Sequence, residues 1–128
     1  MVKSLNTRSD FTAKGIAYVG LGNSYGQFML GDKAFEFFDE RNVSNFIQIP
    51  WDQIALVQAD VSKKGKISRH FTVQLMNRKS RLRFSSPDSG HILRLIRDQI
   101  GNEKVVRAPG FFQSLKSAFT FKRKTKNS

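Results

Sequence analysis

The stretch Gly22-Asn23-Ser24-Tyr25-Gly26 spells G-x-S-x-G, the pattern of a serine nucleophile presented on a sharp turn. That chemistry needs a strand-turn-helix inside a large parallel sheet, with Asp and then His downstream. The residues after Gly26 alternate as a strand does, and a chain of 128 residues is too short for such a sheet, so a hairpin turn is expected instead. Gly20, Gly22 and Gly26 do not make a phosphate loop. Tyr25 stands where a dinucleotide fingerprint needs glycine, and no Lys-Ser/Thr pair follows. His70 and His91 have no carboxylate or second histidine at metal-ligand spacing, and there is no cysteine. Asp39-Glu40, followed by Arg41, reads as a solvated turn rather than a general acid/base pair facing one cleft. The expectation is a chain without catalytic residues, cofactor or metal, and so not an enzyme.

The basic residues are the stronger pattern. Of 22 Lys/Arg and 10 Asp/Glu, residues 1–60 carry five and seven, whereas residues 61–128 carry seventeen and three. Lys63, Lys64, Lys66 and Arg69 line one expected hairpin; Arg78, Lys79, Arg81 and Arg83 line the next, and no acid interrupts positions 61–87. If neighbouring hairpins share a surface, these eight form an anion-binding face. Phe111, Phe112, Leu115 and Phe119 sit at i, i+1, i+4 and i+8, the spacing of a short amphipathic helix. A basic tail, Lys122-Arg123-Lys124-Thr125-Lys126, follows it. That apolar stripe fits either the chain's own domain or a membrane or partner surface.

The elements that would position these residues are mostly strands. Twelve phenylalanines suit a small β core, because Phe buries much apolar area in few rotamers. Alternation places strands at 14–19, 27–31, 34–39, 46–49, 53–61, 69–76 and 81–84. Phe28/Leu30, Phe35/Phe37, Ile47/Ile49, Phe71/Val73/Leu75 and Leu82/Phe84 point inward. The period then changes. Ser86 as N-cap, Pro87 at the first position and Ile92, Leu93, Ile96 and Ile100 on one face predict a helix over 87–100, ended by Gly101. The expected organisation is a leader over 1–13, one domain over 14–101, an amphipathic segment over 102–121 and a basic disordered tail over 122–128. The fold class is mainly β (α+β). The first residues lack the apolar stretch of a signal peptide, and no segment approaches about 20 consecutive apolar residues, so a cytoplasmic location is expected.

Seven short strands closed by a C-terminal helix resemble pleckstrin-homology-like and GRAM-like domains: a seven-stranded antiparallel barrel or sandwich with a capping helix. Ile47-Gln48-Ile49-Pro50-Trp51-Asp52-Gln53-Ile54 resembles the GRAM strand and turn. Gly31–Asp39, Arg41-Asn42-Val43, Phe84-Ser85-Ser86, Val106-Arg107 and Phe111-Phe112 together are similar to the ManO-like family, whose genes accompany mannose-class phosphotransferase-system transporters. That resemblance implies an accessory or regulatory protein of sugar uptake, and it carries no catalytic residues. The implied partner is a membrane-bound or soluble transporter component, with anionic lipid beside it. The location would be peripheral, at the inner face of the plasma membrane. The alternative is a charge-driven, nucleic-acid-binding regulator of the transporter operon. It would lack a reading helix, because no helix-turn-helix pattern is present.

Overall fold

The computed structural model describes residues 3–19, 22–76 and 81–109. Eight strands and one helix follow the chain: β1 (Ser9–Val19), β2 (Gly22–Gly31), β3 (Ala34–Asp39), β4 (Phe46–Pro50), β5 (Ile54–Val61), β6 (Ile67–Leu75), β7 (Arg81–Ser85), α1 (Ser89–Ile100) and β8 (Val105–Pro109). They form one sheet in the order β4-β3-β2-β1-β7-β6-β5-β8. Seven strands pair antiparallel, as the alternation predicts. β8 corrects the expected seven-stranded antiparallel sheet: it lies parallel to β5, with Val57 opposite Val105 and Val61 opposite Pro109, so the sheet is mixed. Five residues at the chain's far end give little periodic signal. A parallel pairing also needs a crossover, which α1 supplies.

From Gly22 onward the glycine-rich stretch is strand, not turn, while Gly20 lies outside the described residues. Gly22 pairs with Val19 and Gly26 with Gly15, making β1–β2 a long hairpin. Gly26 is required by close approach, since a Cβ there would lie 2.0 Å from the Phe38 carbonyl oxygen. α1 starts at Ser89, two turn residues later than expected, with Asp88 as N-cap. The Ser86 hydroxyl is engaged elsewhere. It donates to the Lys14 carbonyl at 2.7 Å and accepts the Asp88 N–H at 3.1 Å, tying the helix approach to β1. Gly101 ends the helix at φ 105°, as expected of a glycine C-cap.

The core is phenylalanine. Phe28, Phe35, Phe37, Phe71 and Phe84 are all buried, with Ile92, Leu93 and Ile96 of α1 completing the cluster. Phe35 of β3 and Phe71 of β6 lie four strands apart in the sheet, which in a flat sheet would be about 19 Å. Their ring centroids are 6.3 Å apart. The sheet is therefore strongly rolled, with the inward alternation of both halves meeting on one interior.

Residues 4–8, expected within a loose leader, run across the outside of β2–β3–β4 and are tied down there. Glu36 is fully buried and accepts four hydrogen bonds: from Ser4 Oγ at 2.5 Å, Leu5 N at 2.9 Å, Asn6 Nδ2 at 3.0 Å and Gln48 Nε2 at 2.7 Å. Asn6 Oδ1 also accepts the N–H groups of Lys33 and Ala34. Asp32 accepts from Thr7 and Arg8. A Cβ on Gly31 would lie 2.1 Å from the Arg8 carbonyl oxygen, so this crossing needs glycine at 31. β1 accordingly begins at Ser9 rather than at Lys14.

Candidate binding surface

Lys63, Lys64 and Lys66 occupy the turn between β5 and β6, and all three are exposed. Ser62 shapes this turn. Its N–H bonds the Lys66 carbonyl at 2.8 Å, its hydroxyl accepts the Lys66 N–H at 3.2 Å, and its carbonyl accepts the Gly65 N–H at 2.9 Å. Gly65 adopts φ 81°, the left-handed conformation glycine takes without strain. The turn is thus closed by backbone and serine. Arg69, on the first part of β6, is also exposed.

Arg81 and Arg83 do not join this group. Successive turns of a meander lie at opposite ends of the strand between them. Arg81 opposite Gln74 is eight residues of β6 away from Lys66, roughly 25 Å. Arg81 is exposed at the start of β7. Arg83 points outward as expected, but it is engaged. Its guanidinium lies 2.5 Å from Asp60 Oδ2 and donates to Thr72 Oγ1 at 3.1 Å. Asp60 is buried, and its Oδ1 has no hydrogen-bond partner among the described residues. Arg78, Lys79, Phe111, Phe112, Leu115 and Phe119 lie outside the described residues.

The structure brings another segment to the lysine turn. β8 runs in the direction of β5, so the chain leaves β8 at Pro109 opposite Val61, one residue before Ser62. Exposed Arg107 is opposite Ala59 on the same edge. The sequence that follows, residues 110–128, holds five Lys/Arg and no acid. Lys63, Lys64, Lys66, Arg69 and Arg107 therefore lie toward one end of the molecule, where β8 ends.

The remaining candidates have structural surroundings. Ser24 lies within β2, and its hydroxyl accepts from Asn45 Nδ2 at 2.9 Å. Asp39 organises the β3–β4 turn. Bonds from the Arg41 N–H and the Asn45 amide, with a further one from the Asn42 N–H, hold its carboxyl below the usual range. His70 is half-buried with its ring 5.8 Å from that of Tyr18. Burial, then the Arg83 charge, lowers its pKa. His91 stacks on Phe11 at 4.0 Å. Among the described residues no group of three or more His, Cys, Asp or Glu could hold a metal ion.

The sequence reading did not find Arg107, the Asp60–Arg83 pair or Glu36. Glu36 is flanked by phenylalanines, and alternation places it correctly on the outer side of β3. No local signal shows that a distant segment covers it.

A family described as "Domain of unknown function (DUF956)" matches residues 1–119. No curated protein matches the chain. Among solved structures, a C-terminal domain of an unknown protein from Leishmania infantum is similar at 11% identity and TM-score 0.62, covering 73% of this chain and 84% of that one. The Slm1 PH domain, solved in complex with phosphoserine, is similar at 9% identity and TM-score 0.52, covering 71% and 91%. At these identities the likeness is one of fold: mainly β, with one helix, and similar to a PH domain.

Proposed function

The chain belongs to the DUF956 family, and we propose that it is a non-enzymatic accessory protein that docks on a mannose-type phosphotransferase-system transporter. Docking takes place at the inner face of the plasma membrane, through the basic end and the C-terminal segment. The observation that carries this reading is the gathering of exposed Lys63, Lys64, Lys66, Arg69 and Arg107 around the point where the chain leaves β8. The ManO-like resemblance supplies the transporter as partner. The rolled sheet is read as the barrel of a pleckstrin-homology/GRAM-like domain, a scaffold that offers loops to a ligand. The PH neighbour solved with phosphoserine supports an anionic group as the ligand class, without lending any residue. A partner of that kind is an acidic protein surface or a lipid headgroup. Among the described residues no helix is long and apolar enough to cross a membrane, which suits a protein that attaches peripherally.

Capture from native membranes, with and without the transporter expressed, tests this. Transporter subunits should be recovered with the wild-type chain, and membrane retention should fall when the transporter is deleted. Retention on operator DNA in a gel shift, with no transporter recovered, would replace this reading with the nucleic-acid regulator.

A further inference from the structure

We propose that His70, on the outer face of the sheet, is a proton-operated switch: when it gains a proton it takes Asp60 as its partner, and Arg83 swings out into solvent. This goes beyond the docking reading and does not depend on it.

The strand register assembles the parts. Phe71 and Phe84 point into the core, so their neighbours His70, Thr72, Arg83 and Ser85 lie on the opposite face. His70 is opposite Ser85 there, and Arg83 is opposite both Thr72 and Tyr18. The donors on this face are already engaged, with one exception. The Tyr18 and Ser85 hydroxyls bond each other at 2.9 Å. Arg83 donates to Asp60 Oδ2 at 2.5 Å and to Thr72 Oγ1 at 3.1 Å. The His70 ring, 5.8 Å from that of Tyr18, makes no hydrogen bond among the described residues. Nor does Asp60 Oδ1, which is buried. An idle donor and an idle acceptor therefore share one polar cluster.

Protonation changes the balance. A neutral imidazole offers one N–H; the cation offers two and adds a positive charge. The charges acting on it are Arg83 of β7, Asp60 of β5 and Arg69 of its own strand. β1 brings the Tyr18 ring, β8 brings Ala108 opposite Asp60, and α1 packs on the core side. Burial opposes the proton most, then Arg83; Asp60 favours it, and Arg69 adds a smaller opposition. Two cations then compete for one carboxylate, and exposure decides which yields. The Arg83 side chain is 38% exposed and carries its charge on a long stem, whereas that of Asp60 is 4% exposed. Arg83 can reach water without disturbing the sheet, and Asp60 cannot. The folded His70 pKa lies below the ordinary 6.5, so stability tied to the neutral ring is complete above 6.5 and is lost as pH falls through the folded value.

NMR titration of the full chain from about pH 8 to about pH 5, the range in which histidine changes charge, tests the switch. It follows the His70 ring and the Arg83 Nε and Cζ resonances. The Arg83 signals should move with the His70 midpoint, and Arg83 Nε–H should exchange faster with water below it. In His70→Gln the Arg83 signals should stay fixed over the same range. Arg83→Gln should raise the His70 midpoint by about one pH unit, and Asp60→Asn should lower it by a similar amount. Arg83 signals that ignore the His70 midpoint, or that still move in His70→Gln, would overturn the proposal. So would a His70 midpoint left unchanged by Arg83→Gln. These two variants keep the buried carboxylate, so the test stands even if Asp60→Asn does not fold.

Discussion

The acidic first half of the chain and the basic second half use their charges in opposite ways. In residues 1–60 three carboxylates are turned onto the chain itself. Glu36 collects four donors beneath the N-terminal strap, Asp32 collects the strap's next two residues, and Asp39 closes the β3–β4 turn. In residues 61–109 the lysines of the β5–β6 turn are exposed, whereas Arg83 is drawn into a pair with buried Asp60. A carboxylate is acceptor-only and short, well suited to gathering backbone N–H groups, whereas Lys and Arg carry their charge to the end of a long stem. The charge asymmetry of the sequence is thus also a division of labour. Three of the acids brace the fold, and the lysines of the β5–β6 turn lie on its exposed surface.

The two buried carboxylates sharpen the contrast. Among the described residues Glu36 has no ion-pair partner, but both its oxygens are supplied with donors. Asp60 has a cation, but one of its oxygens lacks a partner among the described residues. Glu36→Ala should therefore give the largest effect, a loss of about 3 kcal/mol in denaturant unfolding, because it strands the donors of Ser4, Leu5, Asn6 and Gln48. A loss near zero would mean that the strap contributes nothing to the fold. Arg83→Gln should cost less, about 1–2 kcal/mol. Arg83 is 38% exposed on its side chain, so solvent already screens part of the pair, but its loss leaves Asp60 buried and charged. Adding Asp60→Asn should recover part of that loss. Strict additivity of the two substitutions would show that the pair is not coupled.

Acid supplies the next test. The Thr7 hydroxyl, aided by the Arg8 and Thr7 N–H groups, holds the Asp32 pKa down at about 2, against 3.8 for the free side chain. A depressed folded pKa means that the associated stability is complete above the unfolded value and is lost as pH falls through the folded one. Wild-type unfolding should therefore lose stability between about pH 4 and pH 2, and Asp32→Asn should flatten that part of the profile. An identical slope in the variant would place the acid sensitivity elsewhere. The smallest effect on stability belongs to the basic half: Lys63→Glu, Lys64→Glu and Lys66→Glu together should shift it by no more than about 0.5 kcal/mol.

Much of the fold is legible along the sequence, because alternation is local. The inward sets Phe28/Leu30, Phe35/Phe37 and Phe71/Val73 are all buried, and α1 buries Ile92, Leu93 and Ile96 as its spacing requires. What is not legible depends on pairing between distant residues. The strap lies against Glu36, some thirty residues away. β8 pairs parallel with β5 across α1. Arg83 and Asp60 meet only because β5, β6 and β7 are adjacent. The same limit applies to the basic face. Spacing identifies the cations of two turns, but the 25 Å or so that β6 puts between Lys66 and Arg81 follows from strand direction. So does the compensating arrival of Arg107 and the end of β8 near the lysine turn.

The central claim is that this lysine turn is a docking surface rather than a solubilising one. Its most direct test is recovery of transporter subunits from native membranes by the full chain carrying Lys63→Glu, Lys64→Glu and Lys66→Glu, at low and at high salt, beside the wild type. Recovery should fall sharply at low salt and differ little at high salt, where screening has already removed the attraction, while unfolding stability is unchanged. Equal recovery by both proteins at low salt would contradict it.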